Sequence, residues 1–330
     1  MSPQPASTVD VHGHLVPQAL VEAALNRPIG GVGAEATEDG GFRFRFPDGF
    51  VTRRLPDRLV DVEGRLAWMD AEGVDIQVLS SWADIFAYGL PAHDATRWCE
   101  HVNATLKDVA ASHPRFLALA SLPMQSPPDA AAMLEDVVAE GFAGVTFAAH
   151  IDGVELDDES LEPFWAAASE LGVVVLLHPS FGEGDPRTAP YGMTNAVGRG
   201  VDTTIAAARL IFSGVLERYP VEVILSHGGG AIPYLAGRLA RNRAIDQSLG
   251  DPEQALRQLY FDSVVFDPTT LEFLVKRAGD GSVLLGSDYP FPIGDPHPRR
   301  VVEEANLSEM VKQQILGGSA MKLFGVGEEG

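Results

Sequence analysis

Val9–His14 reads VDVHGH, an apolar strand-like run that closes in two histidines one residue apart. Residues two apart on a strand share a face, so His12 and His14 can grip one ion together, and Gly13 between them lets backbone approach closely. Working outward, three more apolar runs end in a polar residue of the same kind. GVVVLLHP ends in His178, VEVILSHGGG in His227 and VLLGSDYP in Asp288. Polar groups at the C-terminal ends of parallel strands converge on one mouth of a barrel, and imidazoles plus a carboxylate suit Zn²⁺ or a similar divalent ion. At this stage His227 is either a ligand or a base, and Gly228 to Gly230 are expected to leave space around its ring.

Eight strands can be read: 8–11, 74–80, 116–121, 144–148, 173–177, 221–226, 261–265 and 283–286. Helical periodicity fills 91–112, 128–140, 160–171, 202–219 and 269–278. Such alternation argues for a single (β/α)₈ TIM barrel over residues 1–330. An open doubly wound sheet is the competing fold, but no G-x-G-x-x-G follows the first strand. Residues 28–58 interrupt the pattern. FRFRFPDGFVTRR alternates Phe and Arg with a strand period and then turns, predicting a β-hairpin lid inserted after strand 1. Residues 307–324 predict a closing helix pair.

The 330 residues carry 24 basic and 46 acidic side chains, a formal charge of −22. That balance disfavours nucleic acid and anionic membranes as partners. Cys99 is the single cysteine, so no internal disulfide forms. With no signal-peptide pattern and no apolar run of ~20 residues, the expected location is the cytoplasm.

GFAGVTFAAH ends in His150, where two-metal barrels often place a bridging lysine; its absence favours one ion, and His150 is a candidate substrate contact. The motifs VDVHGHLVP, SLPMQSP, GFAGVTFAAH, SHGGGAIPYLAGR and GSDYPFPIGDP together resemble the amidohydrolase superfamily, within it the metal-dependent decarboxylase branch. The resemblance covers nearly the whole barrel. It implies one Zn²⁺ per chain (Mn²⁺ as the alternative) on His12, His14, His178 and Asp288, with His227 as acid/base and Asp288 sharing the proton steps. It also implies Arg53 or Arg54 on a substrate carboxylate and Phe291 lining the substrate site. Arg238 would cross into the neighbouring subunit's site in a homodimer. Ser180 and Phe181, after His178-Pro179, depart from the family pattern where substrate is sorted. The expected reaction is non-oxidative decarboxylation of an unsaturated or aromatic carboxylic acid. Hydrolysis or hydration of a lactone, amide or unsaturated acid on the same metal site is the alternative.

Overall fold

A computed structural model describes residues 7–179 and 185–327; Ser180 and Phe181 lie outside the described residues. Eight parallel strands form one sheet in the order β1-β4-β5-β6-β9-β10-β11-β12. They span Val9–His14 (β1), Ile76–Ser80 (β4), Phe116–Ser121 (β5), Gly144–Ala148 (β6), Val174–His178 (β9), Glu222–Leu225 (β10), Leu259–Asp262 (β11) and Val283–Leu284 (β12). Backbone bonds from Val11 N to Leu285 O and from Asp288 N to His12 O, both 2.8 Å, join the first strand to the last and close the barrel.

Two short antiparallel ribbons stand outside it. Gly33–Ala36 (β2) pairs with Phe42–Arg45 (β3), and His150–Ile151 (β7) with Val154–Glu155 (β8). The helices are Gln18–Asn26 (α1), Val62–Glu72 (α2), Ala92–Ser112 (α3), Pro127–Ala139 (α4), Glu162–Leu171 (α5), Arg199–Ser213 (α6), Val215–Arg218 (α7), Ile232–Ile245 (α8), Pro252–Leu256 (α9), Pro268–Ala278 (α10), Pro298–Glu304 (α11), Glu309–Gln313 (α12) and Ser319–Leu323 (α13). The expected barrel is therefore present. α1 and α2 were not expected, and the β2–β3 ribbon falls within the expected insertion at 28–58.

Strand ends follow local chemistry. Gly73 and Gly172 take the left-handed conformation that stops α2 and α5, so each chain turns at once into the next strand. β11 ends at Asp262, short of the expected Val265, because the Asp262 carboxylate accepts the backbone N–H of Val264 at 3.1 Å and bends the chain.

Two apolar layers hold the sheet. Val9, Val11, Val78, Leu119, Val174, Leu176 and Ile224 fill the barrel axis, with Ala320 of α13 packed on them. Val175, Leu177, Val223 and Leu225 point the other way, toward the helices. On β9 the inward alternation 174, 176 continues to His178. On β1 it would have carried Val9 and Val11 on to Gly13. Instead the pairing with β4 slips, with three steps from Asp10 to Gly13 opposite two from Gln77 to Leu79. One extra residue reverses the facing of every side chain beyond it. His12 and His14 are turned inward by that bulge.

Candidate metal centre and active site

His12, His14 and His178 are almost wholly buried at the C-terminal mouth of the barrel, with Asp288 beside them. His12 Nε2 and His14 Nε2 lie 3.1 Å apart. Asp288 Oδ1 is 3.3 Å from His14 Nε2 and 3.6 Å from His12 Nε2; Asp288 Oδ2 is 3.5 Å from His227 Nε2. Donor atoms of His12, His178, His227 and Asp288 all fall within 4.8 Å of one another. Distance alone does not choose four ligands among five groups.

The far side of each ring does. His12 Nδ1 is 2.6 Å from Asp262 Oδ2, His14 Nδ1 is 3.1 Å from Ser81 O, and His178 Nδ1 is 2.7 Å from Pro179 O. Each oxygen accepts a hydrogen bond from Nδ1–H, which keeps the proton on Nδ1 and leaves Nε2 as a lone pair aimed at the centre, the arrangement that metal-bound imidazoles adopt. His227 has no such anchor among the described residues, where its Nδ1 is buried without a hydrogen-bond partner. Among the same residues His178 Nε2 and Asp288 Oδ1 are also buried without one. Three lone pairs and a carboxylate oxygen crowded together, with no donor between them, fit a single divalent cation.

Electrostatics agree with that donor set at His14, His178 and Asp288 and depart from it at His12. Burial lowers the pKa of His14, and that of His178 further, with neighbouring histidines adding to the effect, so both rings are neutral. Burial opposes the charge on Asp288, but His14 and His227 outweigh it and hold the carboxyl well below its usual range. For His12 burial likewise opposes charge, and Asp262 and Asp288 reverse the balance.

A cavity of about 360 Å³ opens onto this centre, lined by His178, His227 and Asp288 at the floor and by Arg53, Arg199 and Phe291 above. Of the two arginines named in the hairpin, Arg53 lines this cavity. Its guanidinium carbon lies 5.2 Å from the Trp82 ring centre and 5.3 Å from that of Phe291, and its Nε is 3.3 Å from Asp84 Oδ2. Arg54 is turned away from the cavity, with Nε 2.8 Å from Asp39 and Nη2 2.8 Å from Asp57. Phe291 is where it was expected, 5.3 Å from the His14 ring.

His150 does not reach the centre. After β6 the chain folds into the β7–β8 ribbon, which directs His150 into a separate cavity, 4.0 Å from Asp202. Gly228 to Gly230 also differ from expectation. All three have positive φ, and an added Cβ would meet Val265 at 2.5 Å, Phe261 at 2.6 Å and the Gly200 carbonyl at 2.2 Å respectively. They permit tight packing of a turn and do not open space. Arg238 is exposed on α8 and lines none of the described cavities of its own chain.

Four residues of the site escaped the sequence. Asp262 is fully buried and fixes His12, the backbone N–H of His227 at 2.9 Å and that of Gly228 at 2.8 Å. Arg199 opens α6 after a π-turn at Thr194–Gly198, and its Nη1 donates to Pro179 O at 3.1 Å. Trp82 and Asp84 follow β4 in a loop. Among the described residues, no helix is long and apolar enough to cross a membrane.

A family model described as Amidohydrolase matches residues 9–326. A 2-amino-3-carboxymuconate-6-semialdehyde decarboxylase from Dictyostelium discoideum is 30% identical over 328 residues, covering 96% of this chain and 91% of that one. Among solved structures, 5-carboxyvanillate decarboxylase from Sphingomonas paucimobilis superposes with a TM-score of 0.80 at 25% identity, over 97% of this chain and 99% of the other. A dihydroxybenzoic acid decarboxylase from Polaromonas sp. JS666, solved with manganese and 2-nitroresorcinol, gives a TM-score of 0.79 at 24% identity, over 98% of each chain.

Proposed function

The chain belongs to the amidohydrolase family, and from that premise we propose that it is a metal-dependent carboxy-lyase acting on an unsaturated or aromatic carboxylic acid. One observation carries the reading. Three histidines pinned through Nδ1 turn, with Asp288, onto a cavity that also holds two arginines and aromatic faces. His12, His14, His178 and Asp288 would hold one divalent ion. Zn²⁺ is our assignment from the nitrogen-rich donors, with Mn²⁺, present in the Polaromonas relative, as the alternative. When bound there, the ion supplies Lewis acidity toward a substrate oxygen.

The protein's own groups do the rest. Arg53, held between Trp82 and Phe291, offers a planar fork to a carboxylate, and Arg199 a second. Phe291 and Trp82 pack on a flat ring. His227 Nε2 gives a proton to the carbon that bears the carboxylate, with Asp288 Oδ2 beside it to balance the charge. That carbon becomes tetrahedral, its bond to the carboxylate breaks, the electron pair returns to the conjugated system and CO₂ leaves. The new C–H bond retains the delivered proton, so no oxidant is needed.

Hydrolysis would use the same floor. Incubating the metal-loaded enzyme in D₂O with hydroxybenzoates and unsaturated dicarboxylates separates the two. Decarboxylation releases CO₂ and leaves one deuterium at the vacated carbon. Incorporation of solvent oxygen into product with no CO₂ would overturn the proposal.

We also propose a homodimer. Val197 in the π-turn before α6 and Val201 and Ile205 on α6 are exposed at intervals of four, and Tyr234 is 81% exposed on α8, four residues before Arg238. This apolar surface beside a cation suits a second copy whose mouth receives Arg238. Mixing Arg238→Ala and His12→Ala chains should then restore one working site per heterodimer. The buried thiol of Cys99 supports the cytoplasmic reading.

A further inference from the structure

Behind the candidate metal centre, buried polar side chains form a circuit of their own. Asp10 on β1 is wholly buried and does not line the catalytic cavity. Its Oδ1 accepts the backbone N–H of His12 at 3.1 Å and that of Ser287 at 3.0 Å. Its Oδ2 accepts from Ser287 Oγ at 2.5 Å and from Gln77 Nε2 at 2.7 Å. One carboxylate thereby grips β1 at His12 and the loop at the residue before Asp288. That loop needs holding, because Asp288 has a φ of 56°, a strained conformation that persists only where its surroundings fix it.

Gln77 on β4 and Arg65 on α2 are also wholly buried. A guanidinium only donates, so the Gln77 atom 2.6 Å from Arg65 Nη1 is Oε1, which leaves Nε2 for Asp10. Arg65 reaches further. Its Nη2 donates to the His14 carbonyl, and its guanidinium carbon lies 4.6 Å from the Tyr289 ring centre. Two buried charges of opposite sign are thus joined through one neutral amide that donates to the first and accepts from the second. Gly13 makes room for that amide: a Cβ there would meet Gln77 Cδ at 2.7 Å and Nε2 at 2.9 Å.

We propose that Asp10, Gln77 and Arg65 are positioning residues for the metal centre. Together they preset His12, His14 and Asp288 against one another, so that the site is built before an ion binds. The role rests on the metal assignment made above.

Zn²⁺ affinity from chelator competition, measured beside the Tm of the metal-free protein, tests it. Gln77→Met nearly conserves volume and removes both hydrogen bonds, and Zn²⁺ should then bind ~10–100-fold more weakly. Leu134→Ala, on α4 and in a different apolar cluster from β1, should lower the Tm and leave Zn²⁺ affinity unchanged. Should Gln77→Met fail to fold, Ser287→Ala, which removes the hydroxyl that Asp10 holds, should weaken Zn²⁺ several-fold. Gly13→Ala should weaken Zn²⁺ by displacing Gln77, and in a Gln77→Ala chain the same change should add little further loss. Unchanged affinity in whichever of Gln77→Met and Ser287→Ala folds, an equal loss in Leu134→Ala, or full additivity of Gly13→Ala and Gln77→Ala would each overturn the positioning role. Failure of the unaltered protein to bind Zn²⁺ would overturn the metal assignment and this role with it.

Discussion

At the floor of the catalytic cavity, His12, His14 and His178 are buried and each ring is tied through Nδ1 to a fixed acceptor. At the rim, Arg53 is 43% exposed and is held by one carboxylate at 3.3 Å and two aromatic faces. Strand pairing fixes His12, His14 and His178 at the floor, and Asp288, beyond β12, is tied to β1 by its N–H on His12 O at 2.8 Å. The rim is made by insertions and loops, which can change without disturbing the sheet. On the proposed reading, reactivity belongs to the floor and choice of substrate to the rim, and substitutions in each should fail in distinct ways.

The largest expected effects lie at the floor. His178→Ala should strip the ion and reduce turnover to background, as measured by metal analysis beside activity. His227→Ala should keep the ion and lower kcat by ~10²–10⁴-fold. Loss of the ion in His227→Ala would make that ring a ligand and erase the distinction drawn from Nδ1. Asp262→Asn comes next. It removes the anchor of His12 without touching the centre, so metal affinity should fall by ~10–100-fold in a chelator competition. At the rim, Arg53→Ala should raise KM by about ten- to a hundredfold with a smaller change in kcat, the worth of a charge-assisted contact. Arg54→Ala should leave both parameters nearly unaltered; equal effects of the two would mean that the hairpin moves.

The smallest effect concerns pH. Asp84 titrates near 6 in the folded chain against 3.8 as an ordinary carboxyl, because burial disfavours its charge. The folded state thus binds this proton more tightly than the unfolded one, and Asp84's contribution to stability declines as pH rises from about 4 to about 6. Asp84→Asn should flatten that part of the Tm profile. An unaltered profile would show that Arg53 compensates the charge fully.

The floor was legible because each donor ends an apolar run, and a polar residue there has few structural uses. Even so, the sequence could not show that a bulge in β1 turns His12 and His14 inward. Asp262 was hidden because it sits within an apolar stretch and its partner His12 lies 250 residues away. His150 misled because a strand end normally points into the mouth, whereas the following Asp152-Gly153 turn folds it aside. Arg53 and Arg54 are adjacent and chemically identical, so only the packing of Trp82 and Phe291 separates them.

His227 and Asp288 have φ values of 53° and 56°. An L side chain in that region costs on the order of 1 kcal/mol or more, and glycine would relieve it. Asp288 gains stability from the neighbours that hold its carboxyl low, which opposes its replacement, but at His227 a laboratory selection for heat resistance alone would be drawn toward glycine. It would return sturdier proteins that had discarded the group proposed to deliver the proton. Melting temperature is a misleading guide for engineering this chain unless turnover is scored in the same screen.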